Sequence, residues 1–188
     1  MEFRVEEYKN KMDGPMYSTL VHMYELLKGR IGIKSSFSIL CLSTNVQIIR
    51  PFSKMIQKEN GRMLLLDESK QKLDATHDTI GYLGQTIDPY PNMMRQLNDL
   101  GSDVNIQPFD IVYIDVDECG KENDPHEVAL DTLHKFQCIL PKVDEYTVIV
   151  INTLFEKKLY LEYVDDLWRK LDYKKTKWEG SFNFYEKK

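Results

Sequence analysis

The run Phe109-Asp110-Ile111-Val112-Tyr113-Ile114-Asp115-Val116-Asp117-Glu118 constrains the fold more than any other stretch of the chain. Its middle is apolar and partly β-branched, and it ends in acid. A segment this short and this apolar suits a strand buried on both faces, with its carboxyl end opening toward water. Comparable runs recur along the chain. They are Phe37–Leu42, Met63–Leu66, a weak one within Ile80–Ile87, Tyr146–Ile151, and a last stretch, Trp178–Tyr185, with alternating aromatics at Phe182 and Phe184. The segments between them read as helices. Met16–Lys28 places Met16, Leu20, Met23 and Leu27 at helical spacing and closes on Gly29. Ile48–Gln57 is interrupted near its start by Pro51, Ser69–His77 is short and polar, and Asn92–Leu100 ends at Gly101. Asp124-Pro125 is an N-cap followed by Pro at the first helical position, opening a helix to about Leu140 that Pro141 stops. Leu154–Leu171 is the last helical segment.

Strands alternating with helices predict an α/β fold with a largely parallel sheet, and right-handed crossovers put helices on both of its faces. A chain of 188 residues fits one domain, residues 1–188, with residues 1–34 as an N-terminal helical segment packed on it. Apolar residues at 42% and charged residues at 29% describe a globular protein, and a net charge of −5 argues against nucleic acid as partner. No apolar run reaches the length of a membrane helix, and Met1–Asn10 lacks the apolar core of a secretory signal. Cys41, Cys119 and Cys138 are sparse and without a C-x-x-C pair, which predicts reduced thiols and a cytoplasmic location.

In such sheets, ligands sit outside the carboxyl ends of the strands. The loops that matter therefore begin at Ser43, Asp67, Asp88, Asp115 and Asn152. Asp67 ends the second strand, where nucleotide-binding α/β folds hold a ribose diol; a carboxylate accepts two hydroxyl hydrogen bonds side by side. A water-exposed strand end is the plainer alternative. Asp115 and Asp117 fall on the same side of the fourth strand by alternation, so they could bind a hard cation or act as base on a substrate hydroxyl. His126, at a helix start, is another candidate base. The first loop, Leu42-Ser43-Thr44-Asn45-Val46-Gln47, contains no glycine, although close approach of backbone to a ligand favours glycine.

The order and spacing of these segments resemble the class I S-adenosylmethionine-dependent methyltransferases, in particular the small O-methyltransferases of the catechol and caffeoyl-CoA type. Phe109–Asp117 is similar to that family's fourth strand, an aromatic-Asp pair followed by four apolar residues and D-x-D, and Val148–Phe155 is similar to its fifth-strand pattern ending in D-N-T-L-W. The resemblance spans about Met16 to Tyr185. It implies a Rossmann-like, doubly wound, mostly parallel seven-stranded sheet with a C-terminal antiparallel strand beside the fifth. It also implies roles: Asp67 on the cofactor ribose, Asp88 toward the adenine, Ser43 and Asn45 along the methionine end, and Asp115 beside the methyl group. Asp115 and Asp117 are then the candidate catalytic carboxylates, and the cofactor is S-adenosylmethionine.

Two positions depart from the family. Cys41 stands in place of the acid of the first strand, and the fifth-strand Asp-Asn pair reads Ile151-Asn152. One ionised ligand is thereby replaced by an alkyl group, which argues against a divalent metal site. The sequence supports methyl transfer to a hydroxyl of a small molecule, and it equally supports a catalytically inactive relative kept as a binding or assembly module with a protein partner; a homo-oligomer stays open. A nicotinamide dehydrogenase would need a G-x-G-x-x-G after the first strand, which is absent.

Overall fold

A computed structural model describes residues 3–29, 37–42, 46–58, 61–66, 84–86, 93–116, 125–152, 162, 165–166, 168–179 and 182–187. Its strands are β1 (Ser38–Leu42), β2 (Arg62–Leu66), β3 (Gly84–Thr86), β4 (Ile111–Asp115), β5 (Val148–Asn152), β6 (Tyr173–Glu179) and β7 (Phe182–Lys187). The helices are α1 (Gly14–Lys28), α2 (Val46–Lys58), α3 (Met93–Ser102) and α4 (Pro125–Ile139), with 3-10 turns at Val5–Tyr8 and Leu140–Lys142. The strands form one sheet in the order β3-β2-β1-β4-β5-β7-β6. The first five run parallel. β7 lies antiparallel to both β5 and β6.

Alternation along the strands builds two cores. Ile39, Cys41, Met63, Leu65, Ile111, Tyr113, Val148 and Val150 face α1 and α2, joined by Phe3 and Val5. Leu40, Leu42, Leu64, Leu66, Val112, Ile114, Ile149 and Ile151 face α3, α4 and Trp168. Since every residue of β1 and β5 is buried, these strands carry no polar face, as expected of a parallel sheet covered on both sides. Asp13 caps α1 by accepting from the Met16 amide at 2.8 Å.

The amino ends of the central strands are pinned by buried polar groups. Asp110 Oδ2 accepts the Ser38 amide at 3.0 Å, and the Asp110 backbone bonds to Ser38 on one side and Val148 on the other. Thr147 Oγ1 donates to the Phe109 carbonyl at 2.7 Å. The buried Lys142 ammonium donates to the carbonyls of Asp103 and Ile106, closing the connection ahead of β4. These contacts fix where β4 starts, and therefore where its far end falls.

The structure corrects several sequence expectations. The stretch Trp178–Tyr185 is not one strand; it spans the junction of the β6–β7 hairpin, with Glu179 opposite Phe182. β6 reads as polar because its Lys174, Lys175 and Lys177 protect a sheet edge, and a register shift between Lys175 and Lys177 further bends it. Pro51 does not interrupt its helix: α2 runs through it, losing one backbone donor. Gly101 does not end α3 but lies inside it, against the backbone of α4 at Cys138. Trp168, in the last helical segment, is a core residue packed edge-on against Phe136 at 4.3 Å. The expected helix at Ser69–His77 lies outside the described residues, and Leu154–Leu171 is described only at a few helical positions between 162 and 170. No described helix is long and apolar enough to cross a membrane.

Candidate functional site

From β1 the chain winds outward through β2 to β3, then returns to β4 and winds the other way to β5. The reversal puts a topological switch point at the carboxyl ends of β1 and β4, which is where open α/β sheets receive their ligands. The described residues at that edge are Leu42, the start of α2 at Val46, Asp115 and Val116, and Asn152 beyond them on β5. The first turn of α2 offers backbone N–H groups with no partner inside the helix, on the side where β1 ends.

Asp115 is the ionisable group placed at this edge among the described residues of β1, β4 and β5. It is half-buried, the last residue of β4, directly opposite Asn152 on β5. Asn152 Nδ2 donates to Asp115 Oδ2 at 3.3 Å, and the Tyr113 hydroxyl donates to the same oxygen at 3.4 Å. The amide orientation follows from chemistry, since a carboxylate oxygen only accepts and the Asn152 NH2 must face it. Tyr113 sits two residues before Asp115, so alternation brings both to the α1–α2 face. Burial and then the Asp115 charge push the Tyr113 phenol well above its ordinary value, so it keeps its proton and remains a donor. Cys41 is paired with Tyr113 across β1 and β4 and is fully buried. Burial first, then the charge of Asp115, raise its thiol pKa, so Cys41 is a neutral group beneath the site rather than a reactive one.

Of the candidate residues, the structure places Asp115 at the carboxyl end of β4, beside the switch point. Ser43, Asn45, Asp67, Asp88 and Asp117 lie outside the described residues, as do Asp124 and the side chains of Val46, Gln47, Ile48 and His126. Sequence reading missed Tyr113 as part of the site. The signal was present, a hydroxyl-bearing residue in an apolar run two positions from an acid, but an aromatic in a strand reads first as core. Ile151 is the alkyl group in place of an ionised one that the sequence showed. That residue is buried on the opposite face, against the α3–α4 side, and does not face Asp115; Asn152 does.

A divalent cation does not fit the described residues here. Hard cations take several oxygen ligands, commonly with more than one carboxylate. Asp115 instead meets two hydrogen-bond donors on one oxygen, while the position before Asn152 carries an alkyl side chain turned away. Among the described residues, no group of three or more His, Cys, Asp or Glu is arranged to hold a metal.

No protein-family model matches the chain. No curated protein matches it either. Solved structures do. The chain is similar to a Staphylococcus aureus protein assigned as a caffeoyl-CoA O-methyltransferase, at 9% identity, TM-score 0.57, over 98% of this chain and 97% of that one. It is also similar to the Bacillus cereus O-methyltransferase solved with S-adenosylhomocysteine, at 12% identity, TM-score 0.51, over 93% and 89%. A third match is TomG of Streptomyces achromogenes, an O-methyltransferase of tomaymycin synthesis solved with S-adenosylmethionine, at 11% identity, TM-score 0.53, over 93% and 88%. The fold is therefore that of the class I methyltransferases, including small O-methyltransferases, and β7 inserted antiparallel beside β5 agrees with the topology that the sequence resemblance implied.

Proposed function

We propose that this chain binds S-adenosylmethionine in the crevice outside β1 and β4 and transfers its methyl group to a hydroxyl of a small molecule. The observation that carries the reading is Asp115: a half-buried carboxylate at the switch point of a methyltransferase fold, oriented by two donors. Bound cofactor supplies the activated methyl carbon. That carbon would pass to the acceptor oxygen, with the hydroxyl proton taken by a carboxylate of this chain and the sulfur left as a neutral thioether. Asp115 would orient the acceptor hydroxyl and take its proton, with Asp117 as the second candidate carboxylate. Alignment of acceptor and methyl then contributes several kcal/mol to the rate enhancement, on the order expected for oriented reactants. Asp67 would accept from the ribose diol, Asp88 would approach the adenine, and Ser43 and Asn45 would line the methionine end. The free thiols Cys41 and Cys138 suit a reducing, cytoplasmic setting.

A calorimetric titration with S-adenosylmethionine and S-adenosylhomocysteine tests this. Micromolar binding of either, weakened at least tenfold by Asp67→Ala, is the expected outcome. One specific observation favours the inactive alternative: Cys41, at the place of an acid in the resembling family, is buried and puts no charge toward the crevice. Absence of heat and of any thermal shift with both ligands at millimolar concentration would reject the enzyme reading and leave a methyltransferase-like binding module with a protein partner.

A further inference from the structure

The pair of donors on Asp115 has a role of its own. A buried tyrosine hydroxyl in the middle strand of a parallel sheet is costly unless it is used, because an unpaired hydroxyl away from water loses its hydration without replacement. Here the hydroxyl reaches one oxygen of the carboxylate that ends β4. The adjacent strand delivers an amide donor to that same oxygen from the residue in exact register. Both donors are neutral, both are nearly inaccessible to solvent, and they arrive from two different strands of a rigid sheet. Together they place two donors beside Oδ2, at 3.4 and 3.3 Å, and offset part of its charge. That is the electrostatic service a bound cation gives to a carboxylate, delivered by hydrogen bonds instead.

We propose that Tyr113 and Asn152 form a donor clamp that takes the place of a divalent cation on Asp115, with Tyr113 as a positioning residue of a cation-independent site. The clamp concerns the same carboxylate as the proposed function but does not depend on the cofactor, so the experiment is done with the protein alone. Binding of Mn2+ to the full chain is read from loss of the free-ion paramagnetic resonance signal, with Mg2+ and Ca2+ as competitors. The unaltered chain should show no binding at millimolar Mn2+. Asn152→Asp replaces a donor by a second carboxylate opposite Asp115 and should create a site with a dissociation constant of about a millimolar or tighter, in the range of weak oxygen-ligand sites. Adding Tyr113→Phe should tighten that binding several-fold, because the hydroxyl no longer competes for Oδ2; a residue with a merely structural role would leave the affinity unchanged or lower it. Mn2+ binding by the unaltered chain overturns the proposal, as does a folded N152D variant that binds no ion, or a double variant no tighter than N152D. If N152D does not fold, Tyr113→Phe alone serves: at constant pH the side-chain carboxyl carbon resonance of Asp115, assigned from Asp115→Asn, should move when the hydroxyl donor is removed, and an unmoved resonance overturns the clamp. Failure of the cofactor titration above leaves these outcomes untouched, so the two readings fail separately.

Discussion

Replacing Gly101 by Ala turns an ordinarily stabilising change into a damaging one. In an exposed helix interior, alanine is better than glycine by roughly 1 kcal/mol, because it restricts the unfolded chain and adds no conflict. Gly101 sits inside α3 where that helix crosses α4, and a Cβ built there overlaps the carbonyl oxygen of Cys138 and stands 3.2 Å from its carbon and 3.6 Å from the Ile139 Cα. The obstacle is backbone, which cannot rotate away as a side chain can. The helices must part by roughly 1 Å, and dispersion contacts over the interface weaken steeply with such a gap. The residues that lose contact are Leu97, Leu100 and Ile139, all buried on the α3–α4 side of the sheet. Overpacking of this kind costs about 1–3 kcal/mol, and the lost contacts push it toward the upper end. After the propensity gain is subtracted, Gly101→Ala should lower the unfolding free energy by about 2 kcal/mol, or the melting temperature by roughly 4–8 °C for a chain of this size. Urea denaturation followed by circular dichroism measures it directly. Gly29→Ala is the internal reference: its Cβ would meet only the Glu25 and Leu26 carbonyl oxygens, at ordinary contact distances of 3.5 and 3.6 Å, in a right-handed backbone conformation, so stability should hold or rise slightly. A Gly101→Ala protein as stable as the parent would refute the close crossing of α3 and α4.

Two further outcomes follow from buried polar groups. The Tyr173 hydroxyl is buried without a hydrogen-bond partner among the described residues, and desolvation pushes its pKa up to about 12. Tyr173→Phe therefore removes an unsatisfied group while keeping the ring packed between Phe136 and Trp168, and it should be neutral or stabilising by up to about 1 kcal/mol in the same urea assay, against the usual trend for core substitutions. Cys41 gives a pH dependence. Its thiol pKa is raised in the folded protein above the ordinary value of 9.0, so the unfolded chain releases the proton first as pH rises. Its contribution is fully present below pH 9 and is lost above it, with a slope approaching about 1.4 kcal/mol per pH unit for this one group. Urea midpoints compared at pH 8 and pH 9.5 should fall more in the parent than in Cys41→Ala; equal slopes would mean that the thiol is not buried as described.

Periodicity made the central sheet legible before any coordinates. Runs such as Phe37–Leu42 and Phe109–Glu118 are too apolar for any place but the interior of a covered sheet, and the strands within them are Ser38–Leu42 and Ile111–Asp115. What escaped was whatever depends on partners distant in sequence. β6 has the composition of a solvated segment, and only its place at the edge, paired to β7, explains a lysine-rich strand. Gly101 followed a helix and so read as its end, because the close passage of α4 leaves no mark in the local sequence. Asp110 read as part of a motif, yet its carboxylate bonds the amide of Ser38 on another strand.

The same distinction decides how the departures at the fifth strand should be weighed. Read linearly, Ile151 looks like the loss of a charged group from a pair, with Asn152 surviving beside it. On a strand, neighbouring residues leave on opposite faces, so one member of a pair at most can look at Asp115. The register selects Asn152, and Ile151 contributes to the core against Trp168 and the α3–α4 side. Chemistry at Asp115 therefore turns on whether the group opposite it donates or accepts. Asn152 donates, Tyr113 donates with it, and the carboxylate they hold between β4 and β5 is compensated without any ion. A single change of that amide to a carboxylate would place two acceptors face to face across the ladder, where like charges repel unless a cation joins them.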